Sequence, residues 1–127
     1  MKYYCLILAG LLVFATSCTT TGKPDANNAL QKVEIDLSVL DQDGLRGPAD
    51  GKVSISYEFC IPNTDQCKAE VHAIDRTVQF SPGSRGRIGA NKNQCLCIGS
   101  TREDYRDVLQ ALAELPYIER IIECHFE

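Results

Sequence analysis

No apolar run in this chain is long enough to cross a membrane. The longest, Tyr3 to Ala15, covers about 13 residues, whereas a spanning helix needs about 20. Also missing is any excess of basic residues. The 13 Lys and Arg stand against 17 Asp and Glu, for a formal net charge of −4, which argues against a nucleic-acid partner or general adhesion to anionic membranes. The signatures of nucleotide binding and hydrolysis are absent as well: there is no G-x-G-x-x-G running into a helix, no G-K-[ST], no G-x-S-x-G and no H-E-x-x-H. The chain holds 7 cysteines without one C-x-x-C pair, so neither a dithiol redox motif nor paired zinc knuckles can be written. Asp41 and Asp43 lead into Gly44, but Leu45 and Lys52 fall where a calcium loop needs its next ligand and its closing glutamate. A solvated turn is expected there. No enzymatic activity and no cofactor are expected.

What stands at the start of the chain is more telling. Lys2, a short apolar run and the small residues Ala15, Thr16 and Ser17 precede Cys18, the layout of a signal peptide cut after residue 17. The segment resembles the lipobox of bacterial lipoproteins, although Ala15 stands where leucine is usual, three residues before the cysteine. The resemblance implies that Cys18 carries lipid, palmitate among its acyl chains, and ties the protein to the cell envelope. Ala15-Thr16-Ser17 also suits an ordinary signal peptidase, which would give simple secretion. Thr19 is not the aspartate that resembles an inner-membrane retention signal, and the outer membrane is favoured. Residues 19–29, TTTGKPDANNA, are polar and without apolar period, as in a tether. The organisation expected is 1–17 signal peptide, 18–30 lipidated N-terminus and tether, and 31–127 a single disulfide-braced domain, long enough to bury an ordinary core.

The fold class expected for that domain is α+β: a mostly antiparallel sheet of about five to six strands with one C-terminal capped helix at 100–115. Val33, Ile35, Leu37 and Val39 alternate with polar neighbours, as do Val53, Ile55, Tyr57 and Phe59, giving two long strands joined by a loop rich in turn residues. Ala69, Val71 and Ala73 share a face if 67–74 is a third strand, and TVQF at 77–80 suggests a shorter one. QCLCIG at 94–99 reads as a strand covered on both faces. Ser100 and Glu103 have capping-box spacing, and Tyr105, Val108, Leu109, Leu112 and Leu115 repeat at helical intervals until Pro116. YIERIIECHFE then gives a final strand with Ile118, Ile122, Cys124 and Phe126 on one side.

This strand-helix-strand ending resembles the last part of ferredoxin-like or ACT-type small domains. The likeness covers about a quarter of the chain and implies a fold without implying an activity.

The chemistry-bearing residues are few. Export makes disulfides the expected fate of Cys60, Cys67, Cys95, Cys97 and Cys124. Cys60 and Cys67 flank IPNTDQ at an expected hairpin mouth, and Cys124 can pair with Cys95 or Cys97 if the last strand lies alongside. A competing reading makes Cys95, Cys97 and Cys124, with His72 or His125, ligands for copper or zinc in a metal-binding or delivery protein. A thiol oxidoreductase is a weaker third reading. His125 falls between Glu123 and Glu127 at strand spacing, where a solvent-facing edge is expected. The glycine-rich stretch SPGSRGRIGANKNQ brings Arg85, Arg87 and Lys92 into one loop, a candidate contact for an anion or an acidic partner. The protein is expected to be a membrane-anchored envelope component, non-enzymatic, with an envelope protein as a possible partner.

Overall fold

The computed structural model describes residues 25–126. The segment expected as signal peptide, Cys18 and most of the expected tether lie outside the described residues. Within the stretch expected as a tether to residue 30, helix α1 (Ala26–Ala29) and the start of a 3-10 turn (Leu30–Lys32) follow Asp25, and α1 packs on the last helix with Ala29 fully buried.

The strand expected at 33–39 does not form. Val33 makes one parallel bridge to Ile121, in which Ile121 N–H donates to Lys32 O and Glu34 N–H to Ile121 O, both at 2.8 Å. The chain then turns into a second 3-10 segment (Leu37–Val39), started by the Asp36 side chain accepting Ser38 N–H at 3.0 Å. A side chain that captures a nearby backbone donor competes with a ladder. Of the four alternating apolar residues only Ile35 is buried, and Val39 is exposed.

The loop that follows carries β1 (Leu45–Arg46), which pairs with β2 (Val53–Ser54) in a small antiparallel sheet. Asp41 organises it as a turn residue: its Oδ1 accepts Asp43 N–H at 2.9 Å and Leu45 N–H at 3.0 Å, and Oδ2 pairs with Lys52 at 2.6 Å. Gly44 is required there, since its φ is +74° and a Cβ would fall 2.6 Å from the Arg102 carbonyl oxygen.

The remaining elements run β3 (Ser56–Pro62), α2 (Asp65–Ile74), β4 (Gln79–Pro82), β5 (Gln94–Ser100), α3 (Tyr105–Glu114) and β6 (Ile122–Cys124). The large sheet has the order β4-β5-β3-β6, every neighbour antiparallel. A β-α-β-β-α-β chain with its first and third strands central is the split βαβ, ferredoxin-like connectivity. The likeness read from the last quarter thus extends to residues 56–124. The molecule is α+β, with six strands in two antiparallel sheets and three α-helices among the described residues.

Residues 67–74 are helix, not strand. Thr64 caps α2 by accepting Cys67 N–H at 3.2 Å. Cys67, Val71 and Ile74 then face the core at helical spacing, while Ala69 and Ala73, expected on a buried strand face, are exposed. At α3 the expected capping box is replaced. Ser100 ends β5, and the helix begins at Tyr105 after Asp104, whose side chain makes no cap bond. Thr101 Oγ1, between them, is held in the interior, accepting Ile55 N–H at 3.0 Å and donating to Gly44 O. The apolar stripe holds: Tyr105, Val108, Leu109 and Leu112 are buried.

Directly paired strand residues share a face. Tyr57, Phe59 and Ile61 of β3 stand opposite Gly99, Cys97 and Cys95 of β5, and α2 and α3 close over that side to make the core. Burying a large apolar side chain contributes about 1.5–3 kcal/mol, so this layer dominates stability. Glu58, Cys60, Leu96, Ile98 and Cys124 occupy the other face, which places the candidate site.

Candidate functional site

The outer face of the sheet is covered by the glycine-rich loop. Glu58 is only 2% exposed although period-two reading sets it among polar, solvent-facing residues. The loop crosses over it, and Ile88 N–H donates to Glu58 Oε1 at 2.7 Å. Gly86 permits the approach: its φ is +59° and a Cβ would lie 2.8 Å from Leu96 Cδ1 and 3.2 Å from Glu58 Oε1. Leu96 is buried as a result.

The loop's own hydrogen bonds set its shape. Arg85 O accepts Ala90 N–H at 2.7 Å and Gly89 N–H at 3.1 Å. Asn91 N–H donates to Gln94 Oε1 at 3.1 Å, Asn91 Oδ1 accepts Asn93 N–H at 2.9 Å, and Asn63 N–H reaches Asn93 O at 3.0 Å. Between these fixed points opens a depression of about 520 Å³ lined by Gly83, Ser84, Arg85, Ala90, Asn91 and Lys92. Two of the three basic residues singled out in the sequence therefore share one site. Arg87 lies on the sheet side instead, close enough to Cys124 to favour its thiolate.

A second hollow of about 120 Å³ lies at the end of β3, where Cys60 meets Gln94, Gly89 and the α3–β6 connection through Tyr117, Glu119 and Arg120. Burial, reinforced by Glu58, Cys95 and Glu119, pushes the Cys60 thiol up. Burial also raises Tyr117, whose hydroxyl donates to Glu70 Oε2 at 2.6 Å. Both groups are held in the protonated form, which disfavours nucleophilic use.

All five cysteines among the described residues are free thiols. Cys60 lies on β3 and Cys67 in the first turn of α2, so a strand-to-helix turn replaces the hairpin mouth. Cys95 and Cys97 face the core at 0% exposure. Cys124 pairs with Ser56 on the far side of β3 and so shares the outer face with Glu58 and Cys60. The register therefore separates Cys124 from Cys95 and Cys97 by an intervening strand and by opposite faces. Among the described residues no group of three or more His, Cys, Asp or Glu side chains gathers to hold a metal ion. Burial and a hydrogen bond to Glu58 push the Cys124 thiol up. Burial and the neighbouring Cys95 do the same to Cys97. His72 sits on α2, its Nε2 3.1 Å from Val78 O and its ring against Phe80, and His125 is exposed with Nδ1 3.7 Å from Glu123 Oε1.

One buried polar group went unsingled by the sequence reading. Asp75, 1% exposed, follows α2 and accepts Thr77 N–H at 2.9 Å, Thr77 Oγ1 at 2.7 Å, Arg102 Nη2 at 2.8 Å and Tyr57 Oη at 3.3 Å. The D-x-T spacing was its only local signal. Burial works against the charged form, but the Thr77 hydrogen bonds, Arg102 and Tyr57 outweigh it and hold the carboxyl below its usual value. With every partner supplied from inside, it fastens α2 to the β5–α3 junction. No protein-family model, curated protein or solved structure matches the chain.

Proposed function

We propose that this chain is a lipid-anchored bacterial envelope protein, of the outer membrane in preference to the inner, whose α+β domain is a non-enzymatic binding module. The loop at 83–92 is its contact surface for an anionic envelope component. One observation carries this reading: the loop is fastened onto the sheet by the buried Glu58 and holds Arg85 and Lys92 around a single depression. A loop whose backbone is already fastened leaves less to be ordered on binding than a mobile one. On a chain with net charge −4 the two cations also concentrate positive potential at one place.

The anchor and the surface are tested separately. Cys18→Ser is expected to release the protein from membranes and to abolish the acyl mass increment at the mature N-terminus, and unchanged retention and mass would sink the anchor. A photo-crosslinking residue at position 84, introduced in cells, is expected to capture products that one at position 107 on α3 does not. Identical products from both positions would refute the loop as the contact surface.

A further inference from the structure

Resting on that reading of the loop, we propose that the depression between Arg85 and Lys92 binds a phosphomonoester carried on a small hydroxylated group, a sugar phosphate. The wall supplies two positive charges, the Ser84 hydroxyl and the Asn91 amide, and it contains no acid, aromatic ring or large apolar side chain. A phosphomonoester carries about −1.5 to −2 at neutral pH, which matches two cations, whereas a single carboxylate leaves one of them unneutralised. Arginine offers a planar fork to phosphate oxygens and lysine a point charge.

Size argues for the carrier. A volume of about 520 Å³ lies within the range of about 300–1,000 Å³ usual for small-molecule sites. It is far more than a bare phosphate fills. The Asn93 N–H donates to Asn91 Oδ1 and orients the amide, whose NH2 donors, like the Ser84 hydroxyl, suit a sugar hydroxyl. The wall holds no His, Cys, Asp or Glu that would serve as a base.

The experiment uses the full chain in detergent micelles, labelled with nitrogen-15, and follows amide shifts during titration with glucose 6-phosphate, inorganic phosphate, glucose, acetate and a glutamate hexapeptide. Glucose 6-phosphate is expected to move the amides of residues 83–92, more tightly than inorganic phosphate and less tightly as salt rises. Arg85→Ser with Lys92→Ser should weaken it at least about tenfold, the effect of losing one charge-assisted hydrogen bond, while shifts elsewhere stay in place. A phosphorylated sugar on a lipid tail in the same micelles separates a headgroup source from a soluble one, and binding of either supports the chemistry. Absence of response, an equal response to glucose or acetate, or unchanged affinity in the double variant overturns the proposal. If the glutamate peptide binds and glucose 6-phosphate does not, the phosphate specificity falls while the loop stands as an anionic contact surface. If neither binds and the crosslinks at 84 and 107 are alike, both readings fall.

Discussion

Glu58 on β3 and Ile88 in the glycine-rich loop are joined across 30 residues by one short hydrogen bond, the Ile88 N–H donating to a carboxyl oxygen at 2.7 Å beneath the loop. This contact couples the sheet to the loop. Glu58→Ala is expected to cost about 2 kcal/mol, since the hydrogen bond to its carboxyl oxygen is lost and the part-buried Ile88 N–H is left without that acceptor. Its sharper consequence is local. Amide exchange at Ile88, Gly89 and Ala90 should quicken by at least about tenfold, the equivalent of about 1.4 kcal/mol, while α3 keeps its protection. Exchange that quickens uniformly along the chain would contradict the latch.

Gly99 and Tyr57 give a prediction about the core. They are opposite each other on β5 and β3, and a Cβ on Gly99 would stand 2.4 Å from Tyr57 Cζ. Tyr57 is fully buried and hydrogen-bonded to Asp75, so its ring has no free direction in which to move. Gly99→Ala should destabilise by about 1–3 kcal/mol, the usual range for overpacking. Urea unfolding midpoints measure this, and a neutral result would mean that the ring relocates.

Asp75 makes stability depend on pH with a definite sign. Its carboxyl is held below its ordinary value in the folded state, so its contribution is complete above the unfolded value, about 3.9, and is lost as pH falls through the folded one. The unfolding midpoint should therefore drop on going from pH 6 to pH 3. Asp75→Asn should start lower at pH 6, with the gap to the parent protein narrowing as the pH falls. A gap independent of pH would show that the aspartate acts without its charge.

The thiols should separate into two classes. Iodoacetamide on the native protein is expected to label Cys60, Cys67 and Cys124, all partly exposed, before Cys95 and Cys97, which are fully buried. Peptide mass mapping before and after unfolding reads this directly. A bridge between Cys124 and either Cys95 or Cys97 on the same non-reducing map would contradict the observed register, because the two groups face opposite sides of the sheet.

Where a signal was local, the sequence carried it. Tyr105, Val108, Leu109 and Leu112 make α3 legible because no strand reading accommodates that spacing, and the uninterrupted apolar character of QCLCIG marks β5 as covered on both sides. The failures share a cause in tertiary context. Ala69, Val71 and Ala73 fit a period of two while Cys67, Val71 and Ile74 fit a helix, and the choice between them was made by the Thr64 cap and the split βαβ connection. Residues 33–39 alternate well but find only a three-residue β6 at that edge of the sheet, too short to ladder against. The site was half legible. Arg85 and Lys92 announced themselves by charge, whereas Glu58 gave no sign of burial, since what covers it arrives from 28 residues further along the chain.

The single bridge between Val33 and Ile121 carries a consequence for neighbouring molecules. The exposed backbone of an edge strand is a template onto which another chain can add. Here β6 is three residues long and the Lys32–Glu34 segment already occupies the hydrogen-bonding groups of Ile121 beside it, while β4 at the opposite edge has four residues and ends in Pro82. Among the described residues, both margins of the large sheet are therefore short. Two copies of this domain meeting edge to edge find only short strands at the margins, a poor template for one sheet to extend into the next.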